Sequence, residues 1–157
     1  MVWNCLKNLL LQQSVKNKNS QTIQDDEICR RFLFDSNQFK NYQVKHQAFA
    51  PSRKTKNVSL FLKNRFESDE EYLQTRAAVS QIRGKECKAE GEFLACTVDL
   101  VRNEVGSFLG RQQFVLELDE HDFSHHANLD KWPSEKAFQK QLQQALAAKT
   151  KLIIGSA

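Results

Sequence analysis

The chain has 157 residues, of which 40% are hydrophobic and 27% charged, and its formal net charge is +4. This length is enough for one domain with a real core, and the composition is that of an ordinary globular protein. The mildly basic balance permits binding of nucleic acid or of an acidic partner without requiring either. Because no apolar run approaches about 18 residues, a membrane-spanning helix is excluded.

The amino-terminal segment lacks the features of a secretion signal. Asn4, Lys7 and Asn8 interrupt its apolar residues, and no small-residue cleavage site follows them. The four cysteines lie far apart and form no C-x-x-C motif. We therefore expect reduced thiols and a cytoplasmic protein.

Residues 1–24 are predicted to form an arm, and residues 25–157 a single domain. The first part of the arm can form a short amphipathic helix, and the polar run over residues 16–24 has little reason to fold by itself. The apolar face of that helix consists of Trp3, Leu6, Leu9 and Leu10. We expect this face to dock on another protein subunit; the alternative is a helix that packs on its own domain.

Hydrophobic alternation and β-branched content predict the strands. They are expected over residues 27–34, 58–62, 112–118 and 151–154, with a further short strand and one or two helical turns within 92–105. The first strand contains Arg30 and Arg31. Because successive side chains of a strand face opposite sides, at least one of these arginines must face an acid, a ligand or a sheet edge.

Two main helices are predicted. Ser68 and Glu71 form a capping box and Gly84 is a typical helix terminator, so a helix is expected over 69–83. A last helix, capped by Asp130 or Ser134, carries a buried stripe. Two helices and about five short strands that do not strictly alternate predict an α+β fold, with a small mixed sheet in a single domain.

Residues 119–133 hold three of the four histidines: His121, His125 and His126. The Asn and Asp content and Pro133 favour a loop here. On a loop the three rings could converge on Zn²⁺ or Mn²⁺, whereas the structural alternative is a loop held by hydrogen bonds from His and Asp. The spacing H-x-x-x-H-H matches no standard metal site, so no cofactor is expected, and a metal at this cluster stays open.

A metal-free site is a further alternative. His126 could act as a general base while Lys45, Arg31 or His46 stabilises phosphate charge, as in a ribonuclease or transferase. Nothing in the sequence places these residues together. Neither a P-loop nor a dinucleotide-binding glycine motif is present.

Basic residues are concentrated before the middle of the chain, among aromatic residues. The candidates for nucleic-acid binding are Arg53, Lys54 and Lys56 in the loop of residues 51–57, together with Lys45. Such a pattern can provide phosphate contacts and stacking surfaces. A solvated loop between two strands explains it equally well.

Several short motifs occur in an order that resembles a family of small uncharacterised bacterial proteins. The motifs are Arg30-Arg31, Phe39, Val44-Lys45, Ala48-Phe49, Pro51, Val58-Ser59, Phe61, His126-Ala127-Asn128 and Trp132-Pro133. They are similar to the pattern RR…F…VKxxAFxP…VSxF…HAxIxGWP over roughly residues 28–148, although residues 129–131 replace the usual apolar-x-Gly. The resemblance carries no established activity. It implies an accessory gene of a bacterial operon or mobile element, and it singles out Arg31, Lys45, Ser59 and His126 as polar landmarks.

The sequence therefore predicts an accessory or interaction subunit of a bacterial multi-component system. One alternative is a phosphoester- or nucleotide-directed enzyme that uses His126, with Lys45, Arg31 and Ser59 beside it. The other alternative is a nucleic-acid-binding module. In each case we expect a protein or nucleic-acid partner and no membrane.

Overall fold

The computed structural model describes residues 21–106 and 114–155. Its strands are β1 (Ile28–Leu33), β2 (Phe39–Lys40), β3 (Gln43–Val44), β4 (Val58–Leu62), β5 (Ala89–Leu94), β6 (Val115–Leu118), β7 (His126–Asp130) and β8 (Lys151–Ile154). Six of them form one sheet in the order β6-β7-β4-β1-β5-β8, and β2 pairs with β3. The pairings are antiparallel throughout the described strands. The α+β class is confirmed, although the sheet is antiparallel where a mixed one was expected.

The described residues contain three α-helices, one more than expected: α1 (Asp69–Arg83), α2 (Cys96–Gly106) and α3 (Lys136–Ala148). The prediction for α1 is confirmed at both ends. The Ser68 hydroxyl accepts a hydrogen bond from the Glu71 amide at 3.2 Å, and Gly84 ends the helix with a left-handed φ of 67°. None of the described helices is long and apolar enough to cross a membrane.

Two of the local predictions need correction. The segment 92–105 has the expected order of strand and then helix, since the end of β5 is followed by most of α2. This helix is longer than the one or two turns expected, because Val98 and Val101 are buried against α3 and the sheet. The amino-terminal cap of α3 is Glu135, neither Asp130 nor Ser134.

Strand β7 corrects the prediction of a loop over residues 119–133. Asn128 and Asp130 are weak strand formers on their own. Pairing with β4 on one side and β6 on the other places both residues inside the sheet, with Ser59 opposite Asn128 and Val115 opposite Asp130. Only residues 119–125 and the segment after Asp130 lie outside strands.

The sheet lies between two apolar layers, because alternate side chains of its strands face opposite sides. The large core joins the sheet to α2, α3 and the 3-10 turn His46–Phe49. The small core joins the sheet to α1 and consists of Phe32, Phe34, Phe61, Phe66, Tyr72 and Cys87, with Val79 and Phe123 packed against it. The described phenylalanines divide between the two cores, with four buried in each.

Buried ion pairs lie beside the small core. The Arg65 guanidinium binds both carboxylate oxygens of Glu27, at 2.5 and 3.0 Å. Arg30 meets the expectation of an acidic partner, since it contacts Glu90 at 3.3 Å and Glu92 at 2.8 Å. Charges removed from water in this way require such partners.

The cysteines differ in their state. Cys29 and Cys87 are buried free thiols, and burial raises the pKa of the Cys29 thiol well above its usual range. Cys96 is disulfide-bonded, so the expectation of reduced thiols is wrong for that residue. Because disulfides are commoner in oxidising compartments, the cytoplasmic location remains a prediction.

Candidate functional site

A cleft opens on the small-core side of the sheet, where two central strands separate. Strand β1 pairs with β4 at two positions, with Cys29 opposite Leu62 and Arg30 opposite Phe61. The pairing extends no further, although β1 continues to Leu33 and β4 begins at Val58. The cleft has a volume of about 200 Å³. It is lined by Arg31, Phe32, Phe34, Ser59, Phe61, Val79, Ile82, Arg83, Phe123 and His126.

Arg31 joins the two separated strands. Its Nε donates to the carbonyl of Ala48 at 2.8 Å, and its Nη1 donates to the carbonyl of Ser59 at 3.1 Å. These bonds use two of the five N–H groups of the guanidinium. The side chain is 8% exposed and forms no ion pair with any carboxylate that the structure describes.

The electrostatic environment of Arg31 is unfavourable for its charge. Burial lowers the pKa of Arg31 to about 10, and the nearby positive charge of Arg83 acts in the same direction. Arg31 is still protonated at neutral pH. A buried guanidinium beside a second cation is stabilised by a bound anion.

Arg83 is the last residue of α1 and forms the exposed side of the cleft. Its guanidinium carbon lies 4.5 Å from the ring centroid of Phe34, a cation–π contact that fixes the head of the side chain over the small core. Among the residues that the structure describes, no Asp or Glu lines the cleft. The cleft therefore combines two positive charges with aromatic walls.

His126 faces the cleft from the start of β7. Its Nδ1 lies 2.7 Å from the carbonyl oxygen of Asp119, and because a carbonyl can only accept, Nδ1 carries the proton. In the neutral ring Nε2 is then the unprotonated nitrogen, and it has no partner among the residues that the structure describes. The ring also packs on Phe61, with centroids 5.2 Å apart.

Ser59 projects from β4 into the same cleft and is exposed. It lies directly opposite Asn128, and Phe61 lies opposite His126. Ser59 and His126 are therefore diagonal neighbours on one face, at a backbone separation of about 7–8 Å. No hydrogen bond joins Ser59 to His126 among the described residues, and both side chains line the cleft where a ligand could contact them.

The loop of residues 119–125 shapes the edge of the cleft. The Asp119 amide donates to the His126 carbonyl at 2.9 Å, and the Glu120 carboxylate accepts from the His125 amide at 2.8 Å. These bonds position Phe123, whose ring lies 6.0 Å from that of Phe61. The loop thus adds an aromatic wall that its sequence did not reveal.

The three clustered histidines have different surroundings. His121 is 89% exposed and contacts its neighbour Asp122, whose hydrogen bond raises the pKa of His121. His125 packs on Phe66 at 4.8 Å, whereas His126 faces the cleft. Over residues 21–106 and 114–155, no group of three or more His, Cys, Asp or Glu side chains is arranged to hold a metal ion.

The structure brings together three of the four predicted catalytic residues: Arg31, Ser59 and His126 all line the cleft. Lys45 is not part of the lining. It precedes the 3-10 turn His46–Phe49, which packs in the large core on the other face of the sheet. Arg83 and Phe123, which sequence reasoning did not select, take part instead. Arg83 looks in the sequence like an ordinary basic residue at a helix carboxyl end, so no local signal identifies it.

The other predicted sites are separate from the cleft. Arg53, Lys54 and Lys56 are exposed in the loop between the turn His46–Phe49 and β4. The proposed docking residues Trp3, Leu6, Leu9 and Leu10 lie outside the described residues, as does the predicted arm up to residue 20. That prediction is untested.

Comparison with known proteins adds no assignment. No protein-family model matches the chain, and searches of curated proteins and of solved structures give no significant match. The resemblance to a family of small bacterial proteins therefore stays a prediction. What defines the protein is its own architecture: a six-stranded antiparallel sheet, covered by helices on both faces, with a cationic cleft between its central strands.

Proposed function

We infer that the protein binds a small phosphate ester in the cleft, with His126 as the acid–base group of a phosphoester-directed reaction. One observation carries this proposal: the buried Arg31 guanidinium lacks a carboxylate partner among the described residues and shares an acid-free cleft with Arg83. Planar guanidinium groups are suited to phosphate, which accepts several hydrogen bonds and carries the compensating charge.

The size and walls of the cleft support a small ligand with an apolar group. The cleft volume of about 200 Å³ is below the roughly 300–1,000 Å³ of pockets for drug-sized ligands, which favours a phosphate with one small ring attached. The ring would lie against Phe34, Phe61 and Phe123, and the phosphate against the two arginines. Such apolar pockets with a few polar groups are typical of small-molecule sites.

Binding is tested by isothermal titration calorimetry with phenyl phosphate, inorganic phosphate and phenol. Phenyl phosphate should bind most tightly, because it alone supplies both the charge and the ring. Arg83→Gln should weaken its binding about tenfold, the cost of one charge-assisted hydrogen bond. The matched control is Arg53→Gln, which removes the same charge outside the cleft and should leave the affinity unchanged. Equal affinities for phenyl phosphate and phenol would contradict the proposal.

The chemical role of His126 is tested separately with p-nitrophenyl phosphate, which carries the single ring that the cleft would hold. Nε2 of His126 would take a proton from a water molecule while the oxygen of that water attacks phosphorus. The P–O ester bond would then break, and the same proton would pass from His126 to the leaving oxygen. His126→Gln should then lower the hydrolysis rate by at least about 100-fold, while Arg53→Gln leaves it unchanged. If the wild type binds phenyl phosphate but hydrolyses no ester, the cleft is a binding site alone.

The expectation of an accessory or interaction subunit in a bacterial system remains a second proposal. It rests on the arm, whose first 20 residues lie outside the described ones, and deletion of residues 1–20 tests it by the loss of a co-purifying subunit. A cytoplasmic location belongs to the same proposal. Neither bears on the cleft, which is built entirely from described residues of the sheet, α1 and the loop of residues 119–125.

A further inference from the structure

A second cavity, the basic groove, lies at the other end of β4 and β7. It has a volume of about 630 Å³ and lies between the loop before β4, the segment after β7 and the start of α3. Its lining consists mainly of Arg53, Lys56, Lys131, Trp132, Pro133 and Lys136. It is therefore larger than the cleft and differently built.

The charge of the basic groove is strongly positive. Arg53, Lys56 and Lys136 form no ion pair with any residue that the structure describes, whereas Lys131 contacts Glu117 at 3.3 Å. Asp130 is the lining carboxylate, and its Oδ1 already accepts a hydrogen bond from the Lys131 amide at 2.8 Å. Three cations thus remain available to a ligand.

The loop that carries two of these cations is held in shape before any ligand arrives. The Ser52 amide donates to the Asn57 carbonyl at 3.0 Å, and the Lys56 amide donates to the Ser52 carbonyl at 2.8 Å. Thr55 closes the loop through a 2.9 Å hydrogen bond to the Asn57 side chain. A backbone that is already held in one shape loses little conformational freedom when a ligand binds.

Trp132 gives the basic groove an aromatic wall. Its Nε1 donates to the Leu129 carbonyl at 3.0 Å, and its ring packs on the buried Phe114 with centroids 4.6 Å apart. The ring is therefore held in place while part of it stays accessible. A flat ring among cations is the arrangement that binds unpaired bases and their phosphates.

We propose that the basic groove binds single-stranded nucleic acid, with Arg53, Lys56 and Lys136 on phosphates and Trp132 against a base. This site uses the predicted residues Arg53 and Lys56 and adds Lys136 and Trp132, which the sequence did not indicate. Lys54 is exposed on the same loop, whereas Lys45 is not part of the lining. The proposal does not depend on the function of the cleft.

The test is fluorescence anisotropy with labelled oligothymidylate and oligouridylate over a range of salt concentrations. The variant Arg53→Gln/Lys56→Gln/Lys136→Gln should flatten the slope of log affinity against log salt by about two, since each lost contact to a single strand contributes roughly 0.7. The charge-matched control Lys88→Gln/Lys140→Gln/Lys151→Gln alters exposed lysines elsewhere and should keep the wild-type slope. The double variant Arg53→Gln/Lys56→Gln leaves α3 intact and should flatten the slope by about 1.4.

Binding of either the DNA or the RNA strand, with these slopes, supports the proposal, and the tighter one identifies the preferred sugar. Equal slopes for the groove variant and the control variant would overturn it, because attraction by net charge would then explain the affinity. Absence of salt-dependent binding by the wild type would overturn it too, as would a duplex that binds as tightly as the single strand. Arg83→Gln in the cleft should not change any of these slopes. A change in slope therefore reports on the basic groove and not on binding of phosphate esters in the cleft.

Discussion

Arg31 Nη1 donates a 3.1 Å hydrogen bond to the carbonyl of Ser59 where β1 and β4 separate. The guanidinium thus satisfies a carbonyl of β4 at a position where β1 and β4 are not paired. A buried carbonyl left without a partner is costly. The same side chain therefore holds the two strands at a fixed distance and supplies charge to the cleft between them.

Arg31→Lys should lower the free energy of unfolding by about 1–3 kcal/mol. A lysine keeps the charge, but its single ammonium group cannot reproduce the planar fork that reaches the carbonyls of Ala48 and Ser59 together. Urea denaturation measures the change. Arg53→Lys, at an exposed position, should be neutral, and a neutral Arg31→Lys would show that the two hydrogen bonds contribute nothing to stability.

Glu27→Gln should cost about 3–5 kcal/mol, because it removes the carboxylate charge that the buried Arg65 guanidinium, 2% exposed, contacts through two hydrogen bonds. The matched comparison is Asp99→Asn, which breaks the exposed pair with Arg102 and should cost less than about 1 kcal/mol. Urea midpoints compare the two variants. Equal losses of unfolding free energy in the two variants would mean that burial does not increase the contribution of the Glu27–Arg65 pair to stability.

Gly91→Ala should destabilise the protein by about 1–3 kcal/mol through overpacking. A Cβ at this position in β5 would lie 2.9 Å from Cγ2 of Thr150 and 3.6 Å from Cγ2 of Val44. Thr150→Ser removes the closer methyl group and keeps the hydroxyl that donates to Leu146. The double variant should therefore recover most of the loss in thermal denaturation, and the absence of any recovery would place the strain elsewhere.

Ser68→Ala should cost about 1 kcal/mol, since it removes the hydroxyl that caps α1 at the Glu71 amide. Circular dichroism during thermal unfolding measures this loss. Ser134→Ala is the control: sequence reasoning gave Ser134 the same role in α3, but Glu135 occupies the cap position. An equal loss from both substitutions would contradict this assignment.

The elements that could be predicted are those whose boundaries are encoded locally. Ser68 and Gly84 mark the ends of α1, and the apolar residues of β4 and β8 define those strands within a few positions. Strand β7 could not be found in this way. Asn128 and Asp130 favour loops when considered alone, and their strand conformation comes from pairing with distant segments on both sides.

The cleft depends on such long-range pairing as well. Resemblance pointed to Arg31, Ser59 and His126. The pairing of β7 with β4 makes Ser59 and His126 neighbours on one face of the sheet. Arg31 starts from the large-core face, on which its Cβ lies near Val44, and reaches the cleft where β1 and β4 separate. The fold leaves Lys45 on the other face of the sheet, where sequence alone could not assign it. Arg83 and Phe123 enter the cleft from α1 and from a loop, through packing that neither spacing nor composition encodes.

The most direct test of the phosphate-binding cleft is an NMR titration of ¹⁵N-labelled protein with phenyl phosphate. We expect the largest chemical-shift changes at the Nε groups of Arg31 and Arg83 and at the amides of Ser59 and His126. These changes should saturate with one phenyl phosphate bound per protein molecule. Shifts confined to the basic groove around Arg53 and Lys56, or no saturable shifts at all, would contradict phosphate binding in the cleft.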